Sequence, residues 1–110
     1  MLIAIDIDGT LEWSHGPVKV ETLKRLQKGH IIVGGSGHPA PIQVLEFRAK
    51  GIRLKACPRK DVERLKTLKR KFKAEDYIFV GDDHIDREVA EEAGYRYLTP
   101  QEFENFAKVL

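Results

Sequence analysis

At 110 residues and 12.6 kDa, with 42% hydrophobic and 33% charged residues, the chain has the size and composition of one globular domain spanning 1–110, which excludes collagen-like, low-complexity and intrinsically disordered chains. The net charge is only +2, but it is segregated: residues 55–73 hold nine Lys and Arg against two acids, and residues 74–104 hold ten acids against Arg87 and Arg96. A single Cys57 excludes an internal disulfide and a cysteine-based zinc site, and the apolar start meets Asp6 too soon for a signal peptide or a membrane span, so a cytoplasmic chain without a membrane partner is expected.

Residues 2–7 are apolar on both faces of the pleat, the pattern of a central strand covered on both sides, and predict strand one. Residues 18–28 predict helix one, with Val20, Leu23 and Leu26 near helical spacing, Pro17 ahead and Gly29 behind, where a left-handed cap belongs. Residues 30–33 are a second apolar run, and residues 41–50 predict a helix with Ile42, Leu45 and Ala49 inward and Gly51 as its stop. Residues 52–56 predict a third strand, and residues 61–73 a helix with Val62, Leu65, Leu68 and Phe72 inward and its bases outward. A strand at 77–80, a helix at 85–93 stopped by Gly94, and a fifth strand at 95–98 follow. Thr99-Pro100-Gln101-Glu102 then combines an N-cap, a proline at the first helical position and an acid able to reach back to the cap. Strands alternating with helices through short connections predict an α/β fold: a three-layer, Rossmann-like parallel sheet of about five strands with helices on both faces.

In such sheets ligands bind beyond the carboxyl ends of the strands. Strand one runs into Asp6-Ile7-Asp8-Gly9-Thr10, and the strand period of two puts both Asp side chains on one side, about 6 to 7 Å apart along the chain. Strand four runs into Gly81-Asp82-Asp83-His84-Ile85-Asp86. Each motif alone reads as a turn or a helix cap; together, on adjacent strands, they crowd carboxylates whose repulsion calls for a cation. An oxygen-only donor set favours Mg²⁺.

With those two motifs the chain resembles the haloacid dehalogenase-like phosphatases, whose first motif is Asp-x-Asp-Gly-Thr and whose last is an acidic Gly-Asp cluster; the likeness covers nearly the whole chain. The resemblance implies that Asp6 is the nucleophile toward phosphorus and that Asp8 is the acid for the leaving oxygen and then the base for water. It also implies that Asp6, the Asp8 backbone carbonyl and Asp82 hold Mg²⁺, with Asp83 and Asp86 in the acidic cluster and the choice between those two open. The family's second motif, a Ser or Thr closing strand two, matches Ser36 within Gly34-Gly35-Ser36-Gly37. Its third, a lysine near the start of the helix after strand three, matches Lys60, with Arg59 and Lys55 as alternatives. The physical logic agrees, because an anionic nucleophile reaches a phosphomonoester dianion only where a divalent cation and positive donors neutralise the phosphoryl oxygens.

Relatives of this kind often carry an inserted cap domain, yet neither residues 11–18 nor residues 37–59 leave room for one, so the site is expected to be open to a phosphorylated small molecule or macromolecule, or to take a lid from another copy of the chain. Trp13 and His15 lie in the short segment over the presumed mouth, where Trp13 either meets a partner or covers an edge of its own sheet. The basic run from Lys55 to Lys73 reads first as a solvated helix face and second as a nucleic-acid track serving a polynucleotide end phosphatase. His38 and His84 read as loop residues. Two other classes compete: a phospho-receiver module, which carries its acceptor Asp at the end of the third strand, and a non-catalytic interaction protein of the same fold.

Overall fold

In the computed structural model, which describes residues 1–110, four strands form: β1 (Leu2–Ile5), β2 (Ile31–Gly34), β3 (Tyr77–Val80) and β4 (Arg96–Leu98). All pair in parallel in the order β2-β1-β3-β4. Five helices connect or flank them: α1 (Val20–Leu26), α2 (Ala40–Ala49), α3 (Val62–Lys71), α4 (His84–Glu92) and α5 (Pro100–Ala107). This is a Rossmann-like α/β arrangement, and no helix is long and apolar enough to cross a membrane.

The strand period divides the core into two sides of the sheet. Ile3, Ile5, Ile32, Ile78 and Val80 pack with Leu23 and Leu26 of α1, Phe47 of α2 and Phe103 of α5. Leu2, Ala4, Val33 and Phe79 pack with Leu65 and Leu68 of α3 and Ala90 of α4. Ile5 is level with Gly34 on one side and Val80 on the other, so β2, β1 and β3 end together. Asp6 N–H donates to Val80 at 2.9 Å and Gly35 N–H to Ile5 at 2.8 Å, which carries the pairing one step further and delivers Asp6, Ser36 and Asp82 to the same rim.

Local signals at the helix ends act as the sequence suggests except after α1. Thr99 accepts from Glu102 N–H at 3.2 Å while Glu102 accepts from Thr99 N–H at 2.9 Å, closing the reciprocal cap of α5. Gly51 and Gly94 adopt the left-handed conformation at φ 83° and 82°, but Gly29 does not.

Two expectations are corrected. Residues 52–56 are not a fifth strand. Lys55 N–H donates to Ile32 at 2.8 Å, but Gly34 N–H finds Ala56 rather than Lys55, at 2.9 Å. A parallel ladder needs one residue to make both bonds, so the mismatch leaves an extended segment with a bend at Lys55 lying along β2. Helix α2 is also turned relative to its apolar stripe: Gln43 and Phe47 are buried, whereas Ile42 and Leu45 are 48% and 62% exposed and Ala49 is exposed as well. Phe47 meets Trp13 edge-on at 5.3 Å, and the Gln43 amide donates to the carbonyls of Ser36 and His38 at 3.2 and 2.6 Å. Those carbonyls would otherwise be left without partners in the loop after β2, and satisfying them sets the helix rotation.

Candidate active site

The turn after β1 is built for close approach. Asp6 is buried at the strand end, and Gly9 at φ 70° lies against the carboxylate of Asp82, where any side chain on Gly9 would overlap it. Gly81 does the same for Asp86: a Cβ there would collide with the Asp86 carboxylate, which is completely buried. The Gly81 and Asp83 carbonyls accept from the Tyr97 hydroxyl, so β4 braces the loop that follows β3. Tyr97 was not anticipated from the sequence.

The acids of that loop divide by role. The Asp83 side chain caps α4, accepting from Asp86 N–H at 2.8 Å, and faces outward. Asp86, three residues on, turns into the sheet instead. One carboxylate oxygen each from Asp6, Asp82 and Asp86 lies within 4.8 Å of the other two. Lys60, just ahead of α3, places its ammonium 3.6 Å from Asp6 Oδ2 and pairs with Asp86 Oδ1.

Three carboxylates against one ammonium leave an excess of two negative charges, which a divalent cation would balance. Asp86 Oδ2 has no hydrogen-bond partner although it is buried, an atom that a ligand position would satisfy. The donors are all hard oxygens, so Asp6, Asp82 and Asp86 fit Mg²⁺. Titration follows from the same crowding. Burial raises the Asp6 carboxyl to about 6 against the opposing Lys60 charge, with Asp86 and Asp82 adding to the rise. Burial likewise raises Asp86, though Lys60 opposes it. Burial disfavours the Lys60 ammonium, but its bond to Asp86 and the charges of Asp6, Asp86 and Asp83 outweigh this and hold its pKa above the ordinary value.

Asp8 behaves oppositely. Its exposed carboxylate accepts from Ser14 Oγ at 2.9 Å and meets His38 Nε2 at 2.9 Å, and these two bonds, the His38 bond first, lower its pKa. The far side of the imidazole, Nδ1, is 3.4 Å from Glu46, whose other oxygen accepts from Trp13 Nε1 at 3.3 Å. His38 is raised, chiefly by the bond to Asp8. His38 is therefore more than a loop residue: it lines a pocket of about 600 Å³ together with Ser36, Gln43, Cys57, Arg59 and Lys60. Only its position two residues after Ser36 hinted at this. Trp13 covers its own core, while His15 and His84 are exposed and away from these contacts.

Of the sequence candidates, Asp6, Asp82, Asp86 and Lys60 converge, and Ser36 shares the adjoining pocket with Lys60. Asp8 stands beside them on His38, and Asp83 is a helix cap. Arg59 lies on the pocket rim, and Lys55 lines a different pocket. Comparison with known proteins gives no match: no family model fits the chain, and none of the curated proteins or solved structures is significantly similar to it.

Proposed function

We propose that this chain is a Mg²⁺-dependent phosphomonoesterase of the haloacid dehalogenase-like kind that works through phosphorylated Asp6. The observation that carries the reading is the meeting of Asp6, Asp82 and Asp86 beyond the carboxyl ends of neighbouring strands, with Lys60 paired to Asp6 and Asp86. Asp6, Asp82 and Asp86 would hold Mg²⁺, with the Asp8 carbonyl as the further ligand that the resemblance implies. When bound, the ion neutralises phosphoryl oxygens and so permits approach of an anionic nucleophile.

The remaining steps belong to the chain. Lys60 holds the Asp6 carboxylate and the incoming phosphoryl group, and Ser36 donates to a phosphoryl oxygen from the pocket wall. An Asp6 oxygen forms a bond to phosphorus as the ester P–O bond breaks, and the departing oxygen takes the proton held between Asp8 and His38. Water then attacks the phosphorus of phosphorylated Asp6, Asp8 accepts its proton, and phosphate leaves with Asp6 restored. The segment between Asp8 and α1 is a tight loop pinned by the bridge of Leu11 with Val18, which leaves the mouth open to solvent.

The test is release of phosphate from a panel of sugar phosphates, nucleotides, phosphopeptides and end-phosphorylated oligonucleotides, with Mg²⁺ and with chelator. Metal-dependent turnover that Asp6→Asn abolishes is expected, and wild-type activity in Asp6→Asn would overturn the assignment.

A second reading gains from the sheet. Because residues 52–56 form no ladder strand, the strand ending in Asp82 is the third in the chain, and β2-β1-β3-β4 matches the beginning of the 2-1-3-4-5 order found in receiver domains. Against it, Lys60 comes from ahead of α3 rather than from a fifth strand. A receiver would take one stable phosphoryl group from acetyl phosphate on Asp82 without turnover, an outcome that labelling of Asp82→Asn distinguishes.

A further inference from the structure

Toward the amino end of β2, away from the pocket that holds Ser36 and Lys60, lies a second pocket of about 470 Å³, lined by Lys28, His30, Arg48, Arg53 and Lys55 among others. Neither lining contains an acidic residue, in a chain with 17 acids against 19 Lys and Arg. One extended segment runs from the first pocket to the second: Ile52, Arg53 and Lys55 border the first, and Cys57, Pro58, Arg59 and Lys60 border the second. Arg53, Lys55 and Arg59 are exposed along this extended segment, and neither they nor Arg48 and Lys28 have an ion-pair partner.

The basic run noted in the sequence thus splits in two. On α3 three of the five bases are engaged locally, Lys69 donating to Gly94 and lying over the Tyr77 ring, Arg70 donating to Thr67 and Lys71 lying over the Phe72 ring, while Arg64 and Lys66 are free. On the segment before α3, Arg53, Lys55 and Arg59 are free and precede Lys60, which pairs with Asp6 and Asp86.

We propose that this segment is a track for a single-stranded nucleic acid whose terminal phosphomonoester enters the site at Lys60. The proposal rests on the phosphatase reading and names its substrate class. A nucleic-acid strand combines the two required features, one terminal phosphomonoester followed by evenly repeated single negative charges. A phosphopeptide brings the first without the second and leaves Arg59, Lys55, Arg53 and Arg48 unpaired. From Arg53 to Lys60 an extended chain reaches at most roughly 25 Å, room for a few nucleotides. No Phe, Tyr or Trp lines either pocket, so binding is chiefly electrostatic and little selective for base.

The experiment pairs turnover with binding. Phosphate release from 5′- and 3′-phosphorylated 12-mers is compared with release from p-nitrophenyl phosphate and from a phosphopeptide, in wild type and in Arg48→Glu/Arg53→Glu. Fluorescence anisotropy of an unphosphorylated 12-mer is followed against salt. The wild type is expected to favour one of the phosphorylated 12-mers over the phosphopeptide, and its binding to weaken with a log–log salt slope of about −2, as for three phosphates neutralised on a single strand. The double variant is expected to lose ten- to a hundredfold in kcat/KM for the 12-mer, mainly through KM, with p-nitrophenyl phosphate turnover within twofold. Equal losses on both substrates, salt-independent binding, or preference for the phosphopeptide would overturn the track. If no substrate is hydrolysed, the phosphatase reading fails and the track is judged by anisotropy alone: salt-dependent binding lost in the double variant upholds it, and no binding refutes it.

Discussion

The amino ends of α4 and α5 begin alike and finish differently. Each follows a strand of the sheet, each has a capping side chain, Asp83 or Thr99, and each carries an acid three residues later. At α5 that acid, Glu102, is exposed and reaches back to the cap, and its bonds to Thr99, backbone first, lower its pKa. At α4 the acid is Asp86, one methylene shorter, fully buried and directed away from the cap toward Asp6 and Lys60, with its pKa raised by burial. One carboxylate completes a local structure and contributes to helix stability. The other is buried at a cost in free energy that the paired Lys60 ammonium opposes without removing.

The sharpest way to break the contrast is at α4. Asp86→Asn or Asp82→Asn is expected to lower Mg²⁺-dependent phosphatase activity by roughly 10³-fold or more and to abolish the rise in Tm on adding Mg²⁺, whereas Glu102→Gln should leave both intact. Steady-state kinetics with a thermal-shift titration would check this, and an unchanged Mg²⁺ response in Asp86→Asn would place the ion elsewhere.

Next in size is Lys60→Met. With chelator present, removing the ammonium leaves Asp6 and Asp86 facing each other uncompensated and is expected to cost about 3–5 kcal/mol in urea unfolding, part of it recovered with Mg²⁺. Stability equal to wild type in chelator would mean that the pair contributes nothing.

Asp6→Asn should act in the reverse direction. The native carboxyl titrates at about 6 and the unfolded one near 3.8, so the native state binds the proton more tightly, and this contribution is present at pH 4 and lost as pH rises through 6. At pH 8 without metal, Asp6→Asn is therefore expected to exceed wild type by about 1–3 kcal/mol, a margin that closes as pH falls toward 4. Urea melts at several pH values test the sign, and a margin that widens toward acid would be contrary to it. Smallest is Thr99→Ala, expected to lose about 1 kcal/mol by urea melt with turnover unchanged.

Much of this layout is legible in the sequence because it depends on neighbours in the chain. The apolar run at residues 2–5, the cap at Thr99 and the two acidic turns each declare themselves within a few residues. The division of labour between Asp83 and Asp86 is not among them, because Glu102 holds the same position after its cap as Asp86 and turns the other way. What escapes is decided across the fold. Residues 52–56 have the composition of a strand, and a one-residue mismatch against β2 denies them the ladder. The rotation of α2 turns on the Gln43 amide finding two carbonyls, which outweighs the apolar spacing of Ile42 and Leu45. The contact of His38 with Asp8 spans 30 residues and depends on the direction of a side chain, as does the brace from Tyr97.

The bridge between Leu11 and Val18 has a consequence for building on this scaffold. It already brings the two ends of a surface excursion side by side, with His15 exposed at φ 65° near its tip. A folded module grafted at that tip would inherit adjacent anchor points, so its insertion would add little closure entropy. The molecule thus offers a socket for a designed element on the loop whose Ser14 already holds Asp8.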